Sequence, residues 1–296
     1  MTIKPKIIGT GLSGLVGSRV VELLQDRFEF VDFSLDTGVN LLDRESLSAT
    51  FSSHQDANAI LHLAAFTDTG AAWLQRGDKA GSCYQVNVVG TQNLLDLAKK
   101  NNKYLINIST DFVFDGTSED KYTEESIPNP IEWYGQTKYE AEKLVSDSGV
   151  NFSTVRLAFP YRAKFEPKKD VIRKLIDGFK SGNLYPMFTD QLTTPTFIDD
   201  IAIALRYLLD NQPKGIFHVV GSSSQSPYQM AQMVADVFNF DKSLVKEGSL
   251  AEFVASQPAG SRPWQKNLSL SNQKITDLGI NMKTLSAGLQ ELKKQL

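Results

Sequence analysis

Residues 7–17 read Ile7-Ile8-Gly9-Thr10-Gly11-Leu12-Ser13-Gly14-Leu15-Val16-Gly17, an apolar β-like run that enters a series of glycines and leaves into an amphipathic helical pattern. A pyrophosphate makes three demands on such a turn: backbone N–H groups at a helix N-terminus, no side chain where backbone meets oxygen, and a small residue where helix meets strand. Gly11, Gly14 and Gly17 can meet them, with Gly14 opening the helix and Leu12, Ser13, Leu15 and Val16 completing the backbone of the turn. The stretch fits both G-x-G-x-x-G (Gly9, Gly11, Gly14) and T-G-x-x-G-x-x-G (Thr10, Gly11, Gly14, Gly17), and both spacings predict the same phosphate site.

Around this turn the first half of the chain alternates short apolar runs with helical patterns, which predicts βαβ units and a mostly parallel sheet. Strands are expected at 6–10, 28–33, 59–63, 104–109 and 152–157, with helices at 15–25, 43–52, 84–100 and about 132–146. Beyond Arg156 the texture loosens, and 164–169 and 182–195 read as loops. A helix at 199–210, a strand at 215–220 and a helix at 227–238 follow, with Gly221-Ser222-Ser223-Ser224 reading as a flexible connection. The expected architecture is α/β: a Rossmann-like, doubly wound parallel sheet with a smaller C-terminal lobe. Residues 1–155 plus the strand near 215–220 would bind the dinucleotide, and 156–296 would mainly bind substrate.

At 296 residues, against roughly 150 per domain, about two domains are expected. Hydrophobic residues at 41% and charged residues at 22% exclude disordered and fibrous classes. The formal charge of -3 excludes a protein that holds nucleic acid or an anionic membrane mainly by charge. The one cysteine, Cys83, excludes an internal disulfide framework and forms no Cys/His signature with His54, His62 or His218. No metal site is expected. Apolar runs fall far short of the ~20 residues of a membrane span, and Met1 to Lys6 passes into Ile7 without a secretory core. A cytoplasmic protein is expected.

An acid at the end of the second strand would hold the ribose hydroxyls of NAD. Counting places Ser34 there, with Asp36 two residues later and no adjacent arginine. Both NAD and NADP remain open.

Tyr-x-x-x-Lys occurs twice, as Tyr134/Lys138 and Tyr139/Lys143, and on a helix either spacing puts both side chains on one face. The stripe through 134, 137, 138, 141, 144, 145 and 148 is apolar enough to lie against a sheet, while 139, 142, 143 and 146 belong in water. Chemistry is therefore assigned to Tyr134 and Lys138. A phenol is a poor proton shuttle at neutral pH unless a positive charge lowers its pKa. At ~5 Å and an effective dielectric of ~20, Lys138 would contribute about 3 kcal/mol, or roughly two pKa units, before desolvation subtracts from it. Upstream, Ser109 and Thr110 end the fourth strand, where open α/β sheets bind their ligands. Their hydroxyls can polarise a carbonyl, although Ser109 reads more simply as a loop cap.

These residues together resemble the extended short-chain dehydrogenase/reductase superfamily and, within it, the dTDP-4-dehydrorhamnose reductase branch, over nearly the whole chain. The resemblance is carried by Thr10-Gly11 through Gly17, His62-Leu63-Ala64-Ala65-Phe66-Thr67, Asn87-Val-Val-Gly90-Thr91, Ser109-Thr110-Asp111 through Gly116, Asn129-Pro130 through Lys138, Thr194-Pro195-Thr196 and Arg262-Pro263. It implies that Thr110, Tyr134 and Lys138 are a catalytic triad, with Leu63, Ala64 and Ala65 beside the cofactor and Asn87 a structural asparagine. Thr67, Asp111 and Phe112 would line the sugar site with Thr110 and Tyr134, and Arg262 lies in the substrate lobe's signature. Segment 68–82 departs from the branch, which is similar to a shorter, acidic V-D-x-A-E there.

The resemblance implies NAD(P)H-dependent reduction of a 4-keto nucleotide-sugar, in which Lys138 lowers the Tyr134 pKa and holds a ribose hydroxyl. Two other readings share the motifs: an epimerase or dehydratase that retains its NAD, and a non-catalytic dinucleotide-binding subunit such as the methionine adenosyltransferase partner subunits that resemble this branch. The expected partners are a nucleotide-sugar and, as oligomer, a homodimer.

Overall fold

The computed structural model describes residues 3–296; residues 1 and 2, where the expected first domain and the N-terminal segment begin, lie outside the described residues. In chain order the first elements are β1 (Lys6–Thr10), α1 (Gly17–Leu24), β2 (Glu29–Asp32), α2 (Arg44–Ser52), β3 (Ala59–His62), α3 (Thr69–Leu74), α4 (Ser82–Tyr84), α5 (Thr91–Lys100), β4 (Tyr104–Thr110), α6 (Trp133–Asp147) and β5 (Phe152–Leu157). They continue with β6 (Pro160–Tyr161), α7 (Val171–Ser181), β7 (Met187–Phe188), β8 (Leu192–Thr193), β9 (Thr196–Phe197), α8 (Ile198–Asn211) and β10 (Gly215–His218). The last are α9 (Pro227–Phe238), β11 (Glu247–Gly248), α10 (Leu250–Ser256), β12 (Asn267–Leu268), α11 (Gln273–Asp277) and α12 (Leu285–Gln295).

Six strands form one sheet in the order β10-β5-β4-β3-β1-β2, and β1 pairs in parallel with both β2 and β3. The α/β, Rossmann-like fold expected from the glycine turn is the fold observed. Alternation along the strands sends Ile8, Ile60 and Leu105 into one core with Leu47 and Phe51 of α2, Leu94 and Ala98 of α5 and Val145 of α6. Ile7, Leu61 and Ile106 point the other way and are also buried, as a sheet covered on both faces requires.

The chain divides into two compact units. The first is Met1–Val113, Pro130–Arg156 and Ala202–Phe217; the second is Phe114–Asn129, Leu157–Ile201 and His218–Leu296. The second has its own core of Ile172, Leu175 and Phe179 from α7, Met230 and Val234 from α9, and Leu285, Leu289 and Leu292 from α12.

Several elements differ from expectation. The expected helix 84–100 is present as one continuous helical run from α4 to α5, with a π-helical turn at Gln85–Gly90 inside it. Helix α7, hidden behind the loop reading around Pro167, is capped by Asp170 accepting from Arg173 N and closed by Gly182 at φ +67°. The supposedly flexible serine run is fastened instead. Ser222 donates to the Met282 carbonyl, Ser223 accepts from Leu285 N, and the Ser224 and Thr194 hydroxyls lie 2.9 Å apart.

Candidate active site

The glycine turn is fixed by close approach. Gly11 sits at φ +66°, and a Cβ there would lie 2.7 Å from Ala64 N and 2.9 Å from the Leu63 carbonyl carbon, so the turn is pressed against the backbone that follows β3. A Cβ on Gly17 would collide with the Gly11 carbonyl oxygen. Gly14 is different: its absent side chain would meet only Gly11 O, at 3.2 Å, and the space it leaves is a cradle of the kind a phosphate fills. Gly14 does not open the helix as expected, since α1 begins at Gly17 and the turn occupies the residues between. Leu12 is buried, Ser13 exposed, and Leu15 and Val16 half-buried.

The count along the second strand needs correcting. β2 stops at Asp32, in register with Gly9, and Phe33 after it is buried in the core. Ser34 caps the following 3-10 turn and donates to Asp32 Oδ2 at 3.0 Å. The strand-end acid is therefore present, and it is Asp32. Its Oδ1 is buried without a hydrogen-bond partner, as suits a group that waits for a ligand's hydroxyls.

Beyond the turn, hydrogen bonds run from β1 to the helix of the Tyr/Lys pair. Ala64 N–H donates to Thr10 Oγ1, which lies 2.7 Å from His62 Nδ1. On the other side His62 Nε2 lies 2.9 Å from Thr91 Oγ1, and Thr91 gives its own hydrogen to the Asn87 carbonyl at 2.7 Å. Thr91 must then accept from His62, which fixes a neutral imidazole with its proton on Nε2. Burial, reinforced by the charge of Lys138, pushes the His62 pKa down to about 3. Asn87, on the π-helical turn, accepts from Phe66 N at 2.7 Å and donates to Thr137 Oγ1 at 2.9 Å, while Thr137 donates to the Tyr134 carbonyl. Sequence reading gave Asn87 a structural role only by resemblance, and put Thr137 on the sheet-facing stripe of the helix without a role.

Helix α6 starts under unusual constraint. The Glu132 carboxylate accepts from the backbone of Tyr134 and Gly135, and a Cβ on Gly135 would collide with the Phe112 carbonyl oxygen. Only glycine lets this end of α6 touch the 3-10 turn at Asp111–Val113, and that contact brings Tyr134 to Thr110, Asp111 and Phe112. Phe112 meets the Tyr134 ring edge to face at 5.8 Å between centroids. Thr110 donates to Asp111 Oδ1 at 3.0 Å and accepts from Phe112 N at 3.3 Å. Ser109 Oγ is buried and makes no hydrogen bond, so it is not the loop cap expected.

Electrostatics here are governed by burial. It pushes the Tyr134 phenol above its ordinary range, Asp111 and Glu132 push the same way, and the hydrogen bond of Thr110 works against them. Lys138, 2% exposed, is itself lowered to about 8 by burial, with Glu142 opposing. The lowering of Tyr134 expected from Lys138 is not what the site shows: the phenol is raised, chiefly by burial. Glu142 also leaves the solvated stripe assigned to it. It is 4% exposed and holds buried Arg156 of β5 through Nε–Oε1 at 3.0 Å and Nη2–Oε2 at 2.7 Å.

Segment 68–82 holds helix α3 at residues 69–74, followed by turns up to the start of α4. Asp68 caps α3 by accepting from Ala71 N, and Ala72, Cys83, Trp133 and Tyr134 form a cluster against which Phe66, Trp73, Tyr84 and Phe112 pack. Thr67 lies between Phe66 and α3, and Ala65 follows Ala64 on the segment beyond β3. Arg262 belongs to the second unit, where its guanidinium lies 4.2 Å from the Trp264 ring centroid. Among the described residues no group of three or more His, Cys, Asp or Glu could hold a metal, and no helix is long and apolar enough to cross a membrane.

Comparison with known proteins adds the following. Residues 5–296 match the family described as RmlD substrate binding domain. Methionine adenosyltransferase 2 subunit beta from Mus musculus is 30% identical over 300 residues, covering 97% of this chain and 86% of that protein. A probable low-salt glycan biosynthesis reductase from Haloferax volcanii is 28% identical, covering 96% and 95%. A crystal structure of dTDP-4-dehydrorhamnose reductase from Bacillus anthracis in complex with NADP superposes with a TM-score of 0.88 at 23% identity, covering 99% of this chain and 100% of that one.

Proposed function

Because this chain belongs to the RmlD substrate binding domain family, we propose that it reduces a 4-keto nucleotide-sugar with NAD(P)H. The observation that carries the proposal is the buried grouping of Thr110, Tyr134 and Lys138, with a protonated phenol donor beside a hydroxyl and an ammonium one helical turn away. The cradle at Gly14 and the unpartnered Oδ1 of Asp32 fit a dinucleotide: Gly11 to Gly17 would hold its phosphates, Asp32 and Lys138 its ribose hydroxyls, and Leu63 to Ala65 its flank. The bound dinucleotide supplies hydride.

Tyr134 donates its proton to the ketone oxygen. A phenol pushed upward by burial remains protonated across the physiological range, which is the form a donor needs. Thr110 donates a hydrogen bond to the same oxygen and orients it. Thr67, Asp111 and Phe112 are assigned to the sugar nucleotide. Trp133 and Tyr84, stacked at 6.2 Å between centroids, pack with Phe66 in the aromatic cluster around Tyr134.

A second reading is favoured by the 30% identity to a methionine adenosyltransferase subunit: a dinucleotide-binding regulatory subunit without turnover. The test is oxidation of NADPH and NADH on addition of dTDP-4-dehydrorhamnose, with titration calorimetry of each dinucleotide alongside. Turnover establishes the reductase. Dinucleotide binding without turnover of this or other keto nucleotide-sugars transfers the assignment to the subunit, and NAD retained through purification transfers it to an epimerase or dehydratase.

A further inference from the structure

The Thr110 hydroxyl has a single hydrogen, and the structure gives it to the wrong partner for catalysis. Its oxygen accepts from Phe112 N at 3.3 Å and also meets the protonated Tyr134 phenol, while its hydrogen goes to Asp111 Oδ1 at 3.0 Å. A hydroxyl so engaged cannot also donate to a ketone oxygen. Asp111 is 2% exposed, and its second oxygen, Oδ2, is buried with no hydrogen-bond partner. An ionised carboxylate left with one oxygen bare in an apolar enclosure is costly; a protonated one is not.

We propose that Asp111 serves as a neutral acid that sets the direction of the Thr110 hydroxyl: protonated, it donates to Thr110 Oγ1 and releases the Thr110 hydrogen to the reacting oxygen; ionised, it takes that hydrogen back. The inference rests on the reductase reading above and makes Asp111 a positioning residue. Its proton is kept through turnover.

The surroundings favour the neutral form. Burial pushes the Asp111 carboxyl up to about 7, and the Glu132 carboxylate at the start of α6 pushes the same way; the hydrogen bond of Thr110 and backbone N–H groups of residues 111 and 112 oppose. The other titratable groups facing the site come from α6 and α4. They are Tyr134, raised by burial; Lys138, lowered to about 8; and Cys83 against Tyr134, raised by burial. His62 faces Lys138 and is neutral. Between pH 6 and 8, then, Asp111 is the group whose ionisation begins first, with Lys138 following.

The sign is definite: the active form is the acid, so activity is full below about pH 7 and lost as pH rises through it. Asp111→Asn keeps a donor to Thr110 through Nδ2 and cannot ionise. With dTDP-4-dehydrorhamnose and NADPH, the wild-type kcat should fall several-fold between pH 6.5 and 8, toward tenfold per unit, while the kcat of the variant, whatever its absolute size, should change by no more than about twofold over that interval, the loss that Lys138 alone predicts. The same alkaline limb in both proteins would overturn the proposal, since a purely structural Asp111 or the titration of Lys138 alone predicts that outcome. A substrate-free readout accompanies it: carbon-13 NMR of wild-type protein labelled at Asp Cγ and Tyr Cζ. The Asp111 carboxyl and the Tyr134 ring should move together with a midpoint near 7. An Asp111 carboxyl already ionised at pH 6, or a Tyr134 resonance indifferent to it, overturns the proposal even if the variant fails to fold. Coupled NMR titrations in a protein that turns over no keto sugar support the hydrogen-bond assignment and defeat the reductase reading instead.

Discussion

The two faces of α6 carry the same Tyr-x-x-x-Lys spacing into opposite surroundings. On the inner face Tyr134 and Lys138 are 9% and 2% exposed, and burial shifts both of their pKa values. On the outer face Lys143 is exposed and rests 4.9 Å from the ring centroid of half-buried Tyr139. The inner pair is tied through Thr137 and Asn87 to the segment after β3; the outer pair is tied to itself. Helical spacing alone makes a pair, and what a pair can do depends on which groups the rest of the chain sets opposite it.

The sharpest way to break this comparison is Tyr134→Phe, which deletes one oxygen and leaves the packing against Phe112. Positioned acid catalysis contributes typically 100- to 10,000-fold, so steady-state turnover should fall by about that factor while calorimetry shows dinucleotide affinity largely kept. A variant with wild-type turnover would remove Tyr134 from the chemistry.

Next in size is Glu142→Gln. It leaves the Arg156 guanidinium, 1% exposed, without its carboxylate, and breaking a buried pair from one side costs roughly 3–5 kcal/mol. Urea unfolding should show a loss of that order at unchanged m-value. Because Glu142 is the influence holding Lys138 up, the Lys138 pKa should also drop below about 8. A loss under 1 kcal/mol would return Glu142 to the solvated stripe where helix periodicity had put it. That misplacement shows a physical limit of the sequence. A helical wheel separates inside from outside by the helix's own composition, and it cannot see an arginine arriving on a strand fourteen residues later.

Gly14→Val tests the other region that the sequence made legible. The added side chain meets only Gly11 O on the protein side, so the fold should hold while dinucleotide affinity weakens at least tenfold, on the order of 1.4 kcal/mol, by calorimetry. Gly17→Val, whose Cβ would strike backbone, should fail to fold. The glycine spacing and the strand before it were readable because close approach admits no other residue. Ser34 was placed at the strand end instead of Asp32 because strand ends are set by tertiary pairing, here the register of β2 with β1, and no local signal marks that point. The aromatic wall from α3 and Trp133 was equally out of reach, since it is assembled from segments sixty residues apart.

The smallest expected effect is the most discriminating about the helix itself. Tyr139→Phe and Lys143→Met repeat, at matched spacing, the substitutions that should cripple the inner face. Tyr139→Phe keeps the ring under the ammonium, and Lys143→Met gives up a cation–π contact worth about 0.5–1 kcal/mol at an exposed site. Neither side chain is hydrogen-bonded to Asn87, Thr137 or Thr110, whose partners are accounted for on the inner face. Turnover and dinucleotide affinity should therefore stay within about twofold of wild type for both variants, and the unfolding midpoint should move only slightly for Lys143→Met. Were Tyr139→Phe the crippling change and Tyr134→Phe the silent one, α6 would have to be rotated by more than a third of a turn. That rotation would carry Gly135 away from the Phe112 carbonyl, the one approach that only glycine permits, so such a result would overturn the packing of α6 as well as the site.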